Sequence, residues 1–315
     1  MHEATGELLS TRSTLAHSLR VIWRQARTIA LADSLFRAGV FFVKALRDPS
    51  SVAAWITFLG SFEQTRGLAP ARFETIAKPL SNFAVYRLSV SERVAMLRSH
   101  YSISAMALPA AVLSTIWAGS SVELGYLDGK RGRRYRLTLD PAGYCYKEGE
   151  CNFTLTDTAD GLELAKLTFS LITLGGSGER ALLIGALQGP SSHSGAGAKT
   201  RIVAATRALS GLRPKMAVFA AASAYAIATG SQSLYAVSNR THTINADAQY
   251  QRRKMHADYD AFWIERGGTS DRLGFKMSLQ NAPRSQCLRR NEQRAQVAKL
   301  VYRLFELEGT NEPRT

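Results

Sequence analysis

The 315 residues contain only three cysteines, Cys145, Cys151 and Cys287. A small, odd number excludes a disulfide framework and matches a reducing compartment. Their spacing also lacks the paired pattern of a structural zinc site, so no metal is expected. Nor does any apolar run approach the roughly 20 residues that a membrane span needs. The most apolar stretches are Val40–Val43 and Met216–Ala228. The first residues carry Glu3 and Glu7 instead of a basic start, and no apolar secretion segment follows. A cytoplasmic protein without a transmembrane segment is the expectation. Acidic residues are scarce as well: 25 Asp+Glu face 40 Lys+Arg, for a formal charge of +15. That sign favours anionic partners, whether nucleic acid, lipid headgroups or phosphorylated small molecules. No internal repeat and no catalytic motif of high specificity appears. What is present is a globular composition, 45% hydrophobic and 21% charged, which excludes wholesale disorder.

Periodicity divides the chain. Residues 1–120 read as helical: Leu15, Leu19, Ile22, Trp23, Ala26 and Ala30 recur at three- and four-residue steps with arginines between them. From about residue 121 the period shortens. Val122–Leu127, a turn at Asp128-Gly129, and the alternating Arg133–Leu139 predict a hairpin. Further strands are expected at Cys151–Thr156, Leu164–Leu174 and Ala181–Leu187. Two helices follow, about Lys199–Leu209 and Pro214–Thr229, then a strand at Leu234–Ser238. The predicted class is α+β: a helical N-terminal part, then a mixed, mainly antiparallel sheet with packed helices over residues 121–283. A basic C-terminal helix and tail occupy 284–315.

Several segments together resemble the VirK/YbjX family of bacterial proteins. They are Ile184-Gly185-Ala186-Leu187-Gln188-Gly189-Pro190, Ala204-Ala205-Thr206-Arg207-Ala208-Leu209-Ser210-Gly211-Leu212-Arg213-Pro214-Lys215, Ala236-Val237-Ser238-Asn239 with His242, and His256-Ala257-Asp258-Tyr259-Asp260-Ala261-Phe262-Trp263. The agreement covers roughly residues 75–305, and the family pattern has His where this chain has Ser210. The resemblance implies a role in envelope or virulence physiology of Gram-negative bacteria, including tolerance of antimicrobial peptides. The expected location is the cytoplasm or the periphery of the inner membrane. The resemblance brings no catalytic residues with it.

Three places carry candidate chemistry. The loop Gln188–Gly197 lies between a strand and a helix, where free backbone N–H groups and the helix dipole suit a phosphate. With Gly195 and Gly197 it looks like the acyl-CoA site of GNAT acyltransferases, which implies a GNAT-like domain and an acyl-CoA-dependent acyltransferase. A plain surface loop is the other reading. Asn239 and His242 follow a strand end, where His242 can act as a base and Asn239 can orient a bound group; a simple turn is the alternative. His256 and Tyr259 lie in a polar, aromatic segment, as acid–base candidates or as helix packing. Gln188, Gly195, Gly197 and Asn239 are thus the expected cofactor contacts, and His242, His256 and Tyr259 the expected catalytic set. The competing function is a non-enzymatic regulator that grips RNA or an anionic membrane through its basic runs, Lys130–Arg134 and the C-terminal arginines.

Overall fold

The computed structural model describes residues 2–190, 197–246, 258–279 and 288–306, with side chains from residue 14 onward. The chain forms two compact units, Met1–Phe83 with Leu88–Arg98, and Ala84–Arg87 with Ser99–Thr315.

The described part of the first unit is helical: α1 (His2–Ala32), α2 (Leu35–Ala45), α3 (Pro49–Arg66) and α4 (Phe73–Ala77). Ile22, Ala26 and Ile29, at helical spacing on α1, pack with Ala38, Phe41 and Ala45 of α2 and with Val52. The Asp48 carboxylate caps α3 by accepting from the Ser51 N–H at 3.1 Å. Pro49 occupies its first turn, where a missing N–H costs nothing, and Gly67 ends it in the left-handed region at φ +61°. The next helix, α5 (Val90–Ala107), begins in the first unit and ends in the second.

The second unit is built on one eight-stranded sheet. After α6 (Ala110–Trp117) come β1 (Val122–Asp128), β2 (Arg134–Pro141), β3 (Cys151–Asp157), β4 (Glu163–Thr173) and β5 (Arg180–Gln188). These five form an antiparallel meander. Helices α7 (Ala198–Ala208) and α8 (Pro214–Ala228) then lead to β6 (Ser233–Ala236), which pairs with β5 in parallel. The elements α9 (Tyr259–Ile264), β7 (Thr269–Asp271), β8 (Gly274–Ser278) and α10 (Leu288–Arg303) complete the unit's described elements. The strand order is β1-β2-β3-β4-β5-β6-β8-β7. This is the α+β class with a mixed, mainly antiparallel sheet that the periodicity predicts. Leu182, Leu183 and Ile184 of β5 are buried, as their unbroken apolar run requires. The nearly all-apolar α8 buries Val218, Phe219, Ala222 and Tyr225 in the same core, and α10 adds Val297, Leu300 and Val301.

Strand β5 is irregular in two respects. A β-bulge sets Thr168 opposite Ala186 and Phe169 opposite Ile184, so Gly185 has no partner. The β5–β6 pairing runs from Ala181↔Ser233 to Ile184↔Ala236 and closes with Val237 N–H donating to the Ile184 carbonyl. Strand β5 continues to Gln188, so its last residues extend past the end of β6.

Candidate functional site

The extension of β5 borders a cluster of buried polar side chains. Its centre is Glu148, which follows a 3-10 turn (Gly143–Cys145) between β2 and β3. Backbone packing places it there. The Glu148 carbonyl passes so close to the bulged Gly185 that a Cβ at that position would lie 1.7 Å from the oxygen. Only glycine admits this approach. The next residue, Gly149, is pressed on β4, where an added Cβ would meet the Phe169 carbonyl oxygen at 2.6 Å. The Glu150 N–H donates to that same carbonyl at 2.9 Å.

The Glu148 carboxylate is 17% exposed. Its Oε2 accepts from Gln188 Nε2 at 3.2 Å. Its Oε1 lies 3.7 Å from His242 Nε2. Cys145 Sγ faces Gln188 Oε1 at 3.8 Å. The Tyr259 hydroxyl accepts from the Leu187 N–H at 3.3 Å, taking a donor that β6 leaves free. The Tyr259 and His242 rings stack with centroids 5.4 Å apart.

Burial governs the protonation of this cluster. It pushes Glu148 up to about 7, although the Cys145 contact and the charge of Lys166 pull the other way. It pushes His242 down to about 4, so the imidazole is neutral. His242 Nδ1 accepts from the Ile244 N–H at 3.1 Å, which leaves the proton on Nε2, facing Glu148. Burial, and next the charge of Glu148, raise the Cys145 thiol to about 11, which makes it a poor nucleophile at neutral pH. Tyr259 is raised to about 12, first by burial. The one group poised to exchange a proton near neutral pH is therefore Glu148.

Three of the residues singled out from sequence, Gln188, His242 and Tyr259, meet around Glu148. Asn239 lies behind them and fastens α9. Its Oδ1 accepts from the Tyr259 N–H at 2.9 Å, its Nδ2 donates to Asp258, and its own N–H donates to Asp260. Gly197 stands at the start of α7 with open space where a Cβ would be. Gly195 and His256 lie outside the described residues. Sequence reasoning missed Glu148 and Cys145. The available signal was a glutamate beside Gly149 in a short connection between two strands, and it gains meaning only from the facing Gly185. Among the described residues, no group of three or more His, Cys, Asp or Glu side chains is arranged to hold a metal ion.

Comparison with known proteins defines the class. A family model described as "Protein of unknown function (DUF535)" matches residues 32–296, and the chain belongs to that family. A relative, "Uncharacterized protein YbjX" of Escherichia coli (strain K12), is 30% identical over 233 residues, covering 73% of this chain and 68% of its own length. Both agree with the VirK/YbjX resemblance. No solved structure matches. Among the described residues, no helix is long and apolar enough to cross a membrane.

Proposed function

We propose that this protein is an acyl-CoA-dependent acyltransferase of GNAT-like design, with Glu148 as its acid–base group. The observation that carries the reading is the buried Glu148 carboxyl, poised near neutral pH, beside the point where the parallel strands β5 and β6 end their pairing. The strand order, the bulge at Gly185 and the route from β5 through α7 and α8 to β6 support a GNAT-like arrangement. Ligands of sheet proteins gather at such strand ends. In this reading Glu148 takes the proton of an attacking acceptor amine while the new acyl bond forms and the thioester C–S bond breaks. Gln188 and the Nε2–H of His242 hold the carboxylate in place, and Tyr259 shapes the wall. Gly197 offers the start of α7 to the phosphates of acyl-CoA. The acyl acceptor belongs to envelope physiology, including defence against antimicrobial peptides.

The test is release of CoA thiol from acetyl-CoA and dodecanoyl-CoA, with spermidine and a lysine peptide as acceptors. Acceptor-dependent release that disappears in Glu148→Gln supports the reading. Failure of either acyl-CoA to bind overturns it. Binding is read from the melting curve, where a ligand at 100 times its Kd adds about 2.7 kcal/mol.

A second reading, attachment to an anionic membrane surface, is favoured by the outer face of the α1–α2 hairpin. Leu31, Leu35 and Phe36 are each about 80% exposed or more, and Val43 and Trp23 extend the patch. Exposed Arg20, Arg24 and Arg27 on α1, Arg37 and Lys44 on α2, and Arg47 just beyond it give this hairpin its positive charge, with Arg37 paired to Asp33. Apolar side chains rimmed by cations suit a bilayer interface better than they suit RNA, which calls for stacking aromatics. Phe36→Glu should abolish co-flotation with phosphatidylglycerol vesicles; unchanged flotation rejects this reading.

A further inference from the structure

A second cavity, of about 260 Å³, opens between the segment before α8, the end of α9 and the face of α10. Arg213, Arg266, Arg290 and Arg294 line it, with Glu265 as the one carboxylate among the lining residues. Glu265 is 72% exposed and lies 3.3 Å from Arg266, so it offsets part of the charge of Arg266 alone. The guanidinium of Arg266 is fixed: it stacks over the Phe262 ring at 3.4 Å and donates to the Phe262 carbonyl. Arg290 lies over Gly211, where an added Cβ would meet its Nη2 at 2.7 Å. Its buried Nε has no hydrogen-bond partner among the described residues. A buried donor of this kind, in a cluster of one sign, calls for an acceptor. Burial comes first in lowering the proton affinity of Arg266 and Arg294; the Arg290 guanidinium lowers that of Arg294 further, and at Arg266 the bonded Glu265 pulls the other way against Arg213 and Arg294. Arginine nonetheless stays charged, so the repulsion persists until an anion relieves it.

A mainly apolar cavity of about 220 Å³, which Lys215 also lines, shares Arg213, Met216, Glu265 and Arg266 with the first. Leu164, Ile202, Pro214 and Phe262 form its apolar wall. The two together make a basic compartment joined to an oily one.

We propose that this double cavity binds a phosphate-bearing amphiphile, its phosphate held by Arg213, Arg290 and Arg294 and its apolar substituent seated against Ile202 and Phe262. Guanidinium forks match the paired oxygens of phosphate, and a concave site of this size fits a single small head better than a polymer backbone. The two cavities share no lining residue with the Glu148 cluster, although Gly189 of the apolar cavity directly follows Gln188, and the ligand need not be the acyl donor.

The experiment is calorimetric titration of the full chain with inorganic phosphate and with hexyl phosphate, alongside flotation with phosphatidylglycerol vesicles. Hexyl phosphate is expected to bind more tightly than inorganic phosphate. Arg290→Gln and Arg294→Gln should each weaken it about tenfold, the loss of one charge-assisted bond. Arg213→Gln, at an exposed position, should weaken it without disturbing the fold and so guards against misfolding of the other variants. Ile202→Trp should bring hexyl phosphate down to the affinity of inorganic phosphate. Vesicle binding that stays intact in the arginine variants identifies a free phosphorylated molecule as the ligand; vesicle binding lost with hexyl phosphate binding identifies a lipid headgroup. Both uphold the site. No saturable binding of hexyl phosphate, or binding unchanged in all three arginine variants, overturns it. Acyl transfer is not measured, so the failure of this proposal and the failure of the acyltransferase reading are separate results.

Discussion

The Glu148 cluster and the arginine-lined cavity confront the same problem, charge held away from bulk water, with opposite solutions. Around Glu148 the acidic group gives way. Desolvation raises it to about 7, against the pull of the Lys166 charge, so near neutrality the carboxyl is protonated about half the time, and Gln188, His242 and Cys145 face it as neutral groups. Around Arg290 the groups keep their protons, because a guanidinium releases one only far above neutral pH. Four like charges therefore line one cavity with a single carboxylate. The difference teaches which kind of chemistry each place suits. A group that can change charge near neutral pH suits proton transfer, and a group that cannot suits binding.

The most damaging break on the acidic side is Glu148→Gln. It preserves shape and the hydrogen bond from Gln188 but removes the exchangeable proton. Acyl transfer should fall about 10²- to 10⁴-fold, measured as CoA release per second, with binding of acyl-CoA retained. Next comes Gly185→Ala. The added Cβ would fall 1.7 Å from the Glu148 carbonyl oxygen, so backbone must move. A loss of about 3 kcal/mol or more is expected, a fall of roughly 6–12 °C in Tm for a unit of this size, and activity should fall with it.

The pH dependence of stability sharpens the comparison from within. Glu148 is raised from the usual carboxylate value near 4.5 to about 7, so the folded state holds a proton that the unfolded state has lost. Its contribution is fully present below pH 4.5 and is lost as pH rises through about 7. His242 is lowered from 6.5 to about 4. Its contribution is present above pH 6.5 and is lost as pH falls through about 4. Between pH 4.5 and 6.5 the two slopes oppose one another and nearly cancel. His242→Asn should uncover a decline on the order of 3 kcal/mol from pH 4.5 to 7, measured by urea unfolding. Glu148→Gln should uncover the opposite slope from pH 4 to 6.5. Equal, flat profiles in both variants would contradict the assignment.

Two substitutions should have smaller effects. Tyr259→Phe leaves the buried Leu187 N–H without its acceptor and should cost about 1–2 kcal/mol, with the ring packing intact. On the basic side, Glu265→Gln removes a carboxylate that is mostly in water and should change stability by less than about 0.5 kcal/mol. It should also tighten hexyl phosphate binding, since it raises the net charge of the cavity.

Local pattern determined most of the elements by itself. The three- and four-residue spacing of Ile22, Ala26 and Ile29, the alternation through Arg133–Leu139 and the unbroken run Leu182–Ile184 are properties of neighbouring residues, and α1, β2 and β5 arise from them. The α+β class, the strand near Leu234 and the buried α8 were legible for the same reason, whereas the parallel pairing of that strand with β5 was not. Gln188, His242 and Tyr259 also stood out, being polar or aromatic residues at strand and helix ends. What the tertiary structure alone decided is the carboxyl they surround. Glu148 carries no local signature, because its place depends on Gly185 and Phe169 from strands that fold against it later in the chain. Its acid–base character arises from burial, and burial exists only once the sheet has closed over that connection. The arginine cavity has the same origin: Arg213, Arg266 and the α10 pair Arg290 and Arg294 come from three separate stretches of the chain, and packing brings their charges to one place.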